Sequence, residues 1–126
     1  MGSAATVPVP FSLEGFTMSA EPLLAHTVFF TLHDNSAQAK QKLVAACKEY
    51  LAGQPGVAFF AAGTLAGDID WSVSDRSFDV ALYLVFENKA AHDQYQESAE
   101  HLRFMAEHES NWKQIRSFDA YVRPKK

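Results

Sequence analysis

From Leu24 onward the chain switches between two hydrophobic periodicities, and the switches mark its elements. Leu24 to Leu32 is dense in β-branched and aromatic residues, the composition of a strand. His33-Asp34-Asn35-Ser36 then supplies a turn and a helix N-cap, at Asn35 or Ser36. Leu43, Val44, Cys47, Tyr50 and Leu51 follow at helical spacing, with Lys40, Lys42, Lys48 and Glu49 on the remaining surface. Gly53 suits the left-handed position that ends a helix, and Pro55 prevents its resumption.

Val57 to Leu65 predicts a second strand and Phe78 to Phe86 a third. Between them, Ala66 to Ser77 reads as a loop holding Gly67, three aspartates and Trp71. It is longer than most hairpin connections, which suits a lid over a pocket. Asn88 caps a second helix containing Ala91 and Tyr95. Ser98 restarts it, with Leu102, Met105 and Trp112 on one side. Gln114 to Val122 closes the domain as a fourth strand. The order is β-α-β-β-α-β. Right-handed crossovers put strands 1 and 3 at the centre of a four-stranded antiparallel sheet, with both helices on one face. The expected architecture is ferredoxin-like α+β.

An open sheet face in water should be polar at every second residue. Here Phe78, Val80, Leu82, Leu84 and Phe86 share one side of the third strand, while Ala81, Tyr83 and Val85 share the other. The second strand sets Val57, Phe59 and Ala61 against Ala58, Phe60 and Ala62. Exposing such side chains costs about 1.5–3 kcal/mol each relative to burial. The second face is therefore expected to be an interface, most simply with an identical chain about a twofold axis. The competing expectation is a monomer whose N-terminal arm or long loop folds back over that face.

Residues 1–22 differ from the rest: Pro8, Pro10 and Pro22 interrupt any regular element. They read as a flexible arm or a non-native remnant, with Met18 a natural start and Phe11, Leu13 and Phe16 able to pack on a neighbour. Residues 23–126 form one domain. The net charge of -4 argues against nucleic acid as the main partner. No apolar run approaches the ~18 residues that span a bilayer, and no secretory leader is evident. One cysteine, Cys47, excludes an internal disulfide and fits a cytoplasmic protein. Its place on the apolar helix stripe favours a buried structural thiol over a reactive one.

Several residues together resemble the stress-responsive A/B barrel (Dabb) domain family, over about Leu24 to Lys126. They are His26-Thr-Val-Phe-Phe, Pro55-Gly56-Val57 with Gly63, Phe78-Asp79-Val80 leading to Phe86, Tyr95, His101-Leu102-Arg103-Phe104 and Phe118-Asp119-Ala120-Tyr121. The resemblance implies a dimeric α+β barrel in which two protomer sheets close on each other. It also implies a family whose members mostly lack an assigned activity, with a plant minority similar to polyketide cyclases.

By the same resemblance, Tyr95, His101 and Asp119 stand where the cyclising members keep their catalytic Tyr, His and orienting Asp. His26 matches a strand histidine of the same cavity, and Phe30 and Trp71 are expected to line it. Such a set can abstract a proton α to a carbonyl and stabilise the oxyanion without a cofactor. Two departures stand out: Ser98-Ala99-Glu100 replaces the family's His-Pro, and Val80 replaces a polar cavity position. In the alternative reading, His101 and Asp119 form a structural hydrogen bond and Tyr95 is a core residue.

His101 and His108, seven residues apart, match no zinc pattern, and Asp68 and Asp70 lack calcium-loop spacing. No metal site is expected. Three functions remain: a homodimer binding a small apolar or aromatic ligand and acting as an acid–base enzyme on a carbonyl or polyketide-like substrate; a structural or stress-response protein whose assembly is the function; and a cofactor-free or haem-linked monooxygenase. Neither nucleic acid nor membrane is an expected partner.

Overall fold

A computed structural model describes residues 21–125. The expectations for Phe11, Leu13, Phe16 and Met18 lie outside the described residues. β1 (Leu23–Leu32), α1 (Ala37–Leu51), β2 (Val57–Thr64), β3 (Val80–Phe86), α2 (Lys89–Gln96), α3 (Ala99–His108) and β4 (Trp112–Val122) follow in that order. The strands form one antiparallel sheet in the order β2-β3-β1-β4. This is the ferredoxin-like α+β arrangement. No helix among the described residues is long and apolar enough to cross a membrane.

Local chemistry sets the helix starts. The side chain of Ser36 accepts from the Ala39 N–H, that of Asn88 from the Ala91 N–H, and that of Ser98 from the His101 N–H. Each satisfies a first-turn donor that has no partner inside its own helix. The left-handed residue after α1 is Gly56, at φ 81°, rather than Gly53. It forms the turn into β2, where its α-hydrogen faces Ala91 of α2.

Leu24, Val28, Phe30 and Leu32 from β1 meet Val80, Leu82, Leu84 and Phe86 from β3 under the helices. Leu43, Cys47 and Leu51 of α1 cover them, with Tyr95 of α2 and Phe104 of α3. Three details depart from the expected pattern. Leu102 is half exposed, and Phe104 takes its place in the core. Trp112 opens β4 instead of ending the helix. Phe78 precedes β3 and packs edge-to-face against Phe29, so it lies on the face opposite Val80.

A fourth departure lies in β2. An irregularity between Val57 and Phe59 turns Val57 toward the core and Phe59 away from it. An extra residue in one strand of a pair has this effect, because side-chain direction otherwise alternates strictly.

The helix-free face is apolar. Phe29 sits among Phe78, Tyr83 and Phe118, with ring centroids 4.9, 6.2 and 5.8 Å away. Phe59, Tyr83 and Phe118 remain 54, 41 and 53% exposed. An apolar hollow of about 390 Å³ lies beside them, lined by Leu23, Ala58, Phe59, Val85 and Val122. Arg76 donates to the Gly67 carbonyl and Arg116 of β4 donates to Asp75.

Candidate functional site

Strand alternation turns His26 toward the helices with Leu24 and Val28, and the β1–β4 register sets Asp119 directly beside it. Their side chains meet, with His26 Nδ1 2.5 Å from Asp119 Oδ1. An ionised carboxylate can only accept, so Nδ1 carries the proton and Nε2 is left as the free nitrogen. His26 is buried, whereas Asp119 is half exposed.

Tyr95 enters from α2. Its ring centre lies 6.0 Å from that of His26 and 4.6 Å from that of His101. Burial pushes the Tyr95 phenol well above its ordinary range, so it stays protonated. His101 sits in the first turn of α3 and donates from Nδ1 to the Gln96 carbonyl at 3.1 Å. Burial lowers its pKa, against the Gln96 hydrogen bond, which raises it, and the neighbouring His26 and His92 lower it further, so the net shift favours the neutral imidazole.

The expected pairing of Asp119 with His101 is thus corrected. Asp119 is the register partner of His26, while the turn between α2 and α3 supplies His101 with a backbone acceptor. Trp71 is corrected as well: it is 74% exposed on the connecting loop and takes no part in the site.

Between the sheet, α2 and α3 lies a cavity of about 160 Å³. Val28, Phe30, Leu82, Phe104, Met105, Trp112 and Ile115 form its apolar wall; His26, Tyr95, Gln96, His101 and Ser117 are its polar groups. No residue of the 66–77 loop lines it, so that loop is not its lid. Among the described residues, the buried indole N–H of Trp112 has no hydrogen-bond partner, and such a donor normally finds one.

The sequence reading missed His92. It lies three residues before Tyr95, hence on the same face of α2, and its ring centre is 5.2 Å from that of His26. His26, His92 and Asp119 each bring one metal-ligating atom within 4.8 Å of the other two. Among the described residues, His101 and His108, considered from spacing alone, form no such group.

A four-stranded antiparallel sheet covered on one face by helices, with His26, Tyr95 and His101 gathered beneath them, defines a ferredoxin-like α+β protein. Residues 24–122 match the stress responsive A/B barrel domain (Dabb), and the chain belongs to that family. The fold is shared with a Dabb family protein of Mesorhizobium loti (19% identity, 81% of this chain and 98% of that one, TM-score 0.67). It is also shared with a hydroxynitrile lyase from Passiflora edulis (20% identity, 81% and 94%, TM-score 0.66). A dimeric ferredoxin-like protein of unknown function from Thermobifida fusca is similar too (14% identity, 82% and 93%, TM-score 0.66). At these identities the likeness is one of fold. No curated protein matches the sequence.

Proposed function

We propose that this protein is a homodimer whose protomers each bind a small carbonyl compound under the helices and move a proton on it without a cofactor. The observation that carries this reading is the 2.5 Å His26–Asp119 pair, whose imidazole lines a cavity shared with Tyr95 and His101. The carboxylate orients the imidazole and fixes its tautomer, as a general base requires. Neutral His101 and the protonated phenol of Tyr95 are placed to donate or accept at the opposite end of a ligand. The catalytic roles go to His26, His101 and Tyr95, with Asp119 as the positioning residue.

The dimer half of the proposal rests on the exposed aromatic face around Phe29, which would close on its symmetry mate. A sheet-on-sheet interface of ordinary size buries about 800 Å² per partner. The dimeric relative of the same fold supports this assembly.

Cavity size favours a second reading, a non-enzymatic protein whose assembly is its function. About 160 Å³ is below the roughly 300 Å³ at which ligand pockets usually begin. A polyketide-sized substrate does not fit that volume; a compound of a few heavy atoms does. A thermal-shift screen of small aromatic and aliphatic carbonyl compounds, on wild type and His101→Ala, separates the readings. Ligand stabilisation lost in a variant that keeps its own melting temperature supports the binding site. A large fall in melting temperature, with no ligand response in either protein, supports the structural role.

A further inference from the structure

We propose that His26, His92 and Asp119 form a binding site for a divalent transition-metal ion of the zinc type. The donors come from three elements: His26 from β1, His92 from the first half of α2 and Asp119 from β4. Their ligand atoms lie within 4.8 Å of one another. An ion bound tetrahedrally at about 2.0–2.1 Å needs its donors about 3.3 Å apart, so closure asks for shifts of about 1.5 Å at most.

His92 is prepared for the role. Its Nδ1 lies 3.1 Å from Asp93 Oδ1, and Asp93 is held in turn by Lys89 at 2.6 Å. With Nδ1–H donating to that carboxylate, Nε2 is the nitrogen available to a metal, the arrangement that orients metal-binding histidines. The group now facing that lone pair is the Gln96 side-chain amide, 3.3 Å away. Turning this amide over would present its oxygen as a fourth donor, and Gln96 also lines the cavity.

Two imidazoles and one carboxylate select the ion class. The set suits Zn²⁺, Co²⁺, Ni²⁺ or Cu²⁺, and it is poor for Ca²⁺ or Mg²⁺, which take oxygen ligands. Because His26 and Asp119 belong to both arrangements, a bound ion would compete with the acid–base pair. The metal site itself does not depend on any organic ligand, and its failure leaves the carbonyl-binding reading intact.

The test uses the full chain, stripped with a chelator and titrated with Zn²⁺ against a chromophoric competitor. The expected result is one Zn²⁺ per chain, with His92→Gln and Asp119→Asn each weakening it about tenfold or more and Asp93→Asn weakening it by about tenfold. His33→Gln and His108→Gln should leave the affinity unchanged. Circular dichroism of each variant confirms that it is folded, and Co²⁺ absorption of the wild type reports imidazole and carboxylate ligation independently. Failure of the wild type to compete for Zn²⁺, or a site untouched by both His92→Gln and Asp119→Asn, overturns the proposal.

Discussion

His26 and Asp119 face each other across the β1–β4 ladder, and their side chains close to 2.5 Å on the face covered by helices. The pair joins an edge strand to a central one beneath α2. Asp119→Ala leaves the buried Nδ1–H without its acceptor, at a cost of about 1–3 kcal/mol. Asp119 is 44% exposed in its side chain, so water can reach the gap and the low end of that range is expected. Urea denaturation of Asp119→Ala, His26→Phe and the double variant checks this. The Asp119 substitution should cost less once His26 is gone, and full additivity would show that the pair carries no coupling.

His101 makes stability depend on pH in a defined direction. Its ordinary pKa is 6.5, and burial lowers it in the folded chain. Below 6.5 the unfolded chain takes up a proton that the folded chain resists. The contribution is therefore complete above that value and is lost as pH falls. His108 is shifted the same way by burial and adds to the effect. Melting temperatures of wild type and His101→Gln should diverge less at pH 5 than at pH 8. A constant difference across that range would contradict the assignment.

The element order could be read from the sequence because alternation and helical spacing are local properties. Asn88 is legible as a cap, and Ser98 as a restart, for the same reason. What escaped depends on partners far along the chain. The irregularity after Val57 and the outward turn of Phe78 arise where β2 and β3 pair, and no window of sequence contains that pairing. Within the site, Tyr95 and His101 come together through the short α2–α3 turn, which makes their proximity a local matter. The resemblance pairs Asp119 with His101, but strand register, acting across 93 positions, makes His26 its neighbour. His92 had a usable signal, its i,i+3 relation to Tyr95, but nothing in the spacing says that β1 passes beneath it.

Gly56 couples the turn before β2 to α2. At φ 81° an L side chain is strained, and a Cβ there would lie 2.4 Å from the Cβ of Ala91. Gly56→Ala should cost about 1–2 kcal/mol for the left-handed backbone and about 1–3 kcal/mol more for the clash. Adding Ala91→Gly removes the clash and leaves the backbone term. Partial recovery in the double variant, measured by denaturation, is the expected outcome; full recovery or none would show that one of the two causes is absent.

Cys47 is fully buried in α1 and burial pushes its thiol up to about 12. Thiolate, the reactive form, is then nearly absent in the folded chain at pH 8. Labelling by an aromatic disulfide reagent should be slow in buffer and fast in denaturant, at a rate set by opening of the chain. Rapid labelling of the folded protein would mean that α1 lifts from the sheet far more easily than its packing implies.

The exposed aromatic face gives the last prediction. Phe118 and Tyr83 flank Phe29 from β4 and β3, and each keeps a large part of its ring in water. If a second copy covers them, a carboxylate at Phe118 must be desolvated at the interface, or the interface must open. In the free protomer the same substitution sits on a half-exposed surface and disturbs little. Phe118→Glu should therefore halve the mass measured by light scattering while far-ultraviolet circular dichroism stays unchanged. The wild type should show a melting temperature that rises with protein concentration, and the variant should not. A wild-type mass of one chain at micromolar concentration would rule out the dimer. The aromatic face would then need cover from within the chain.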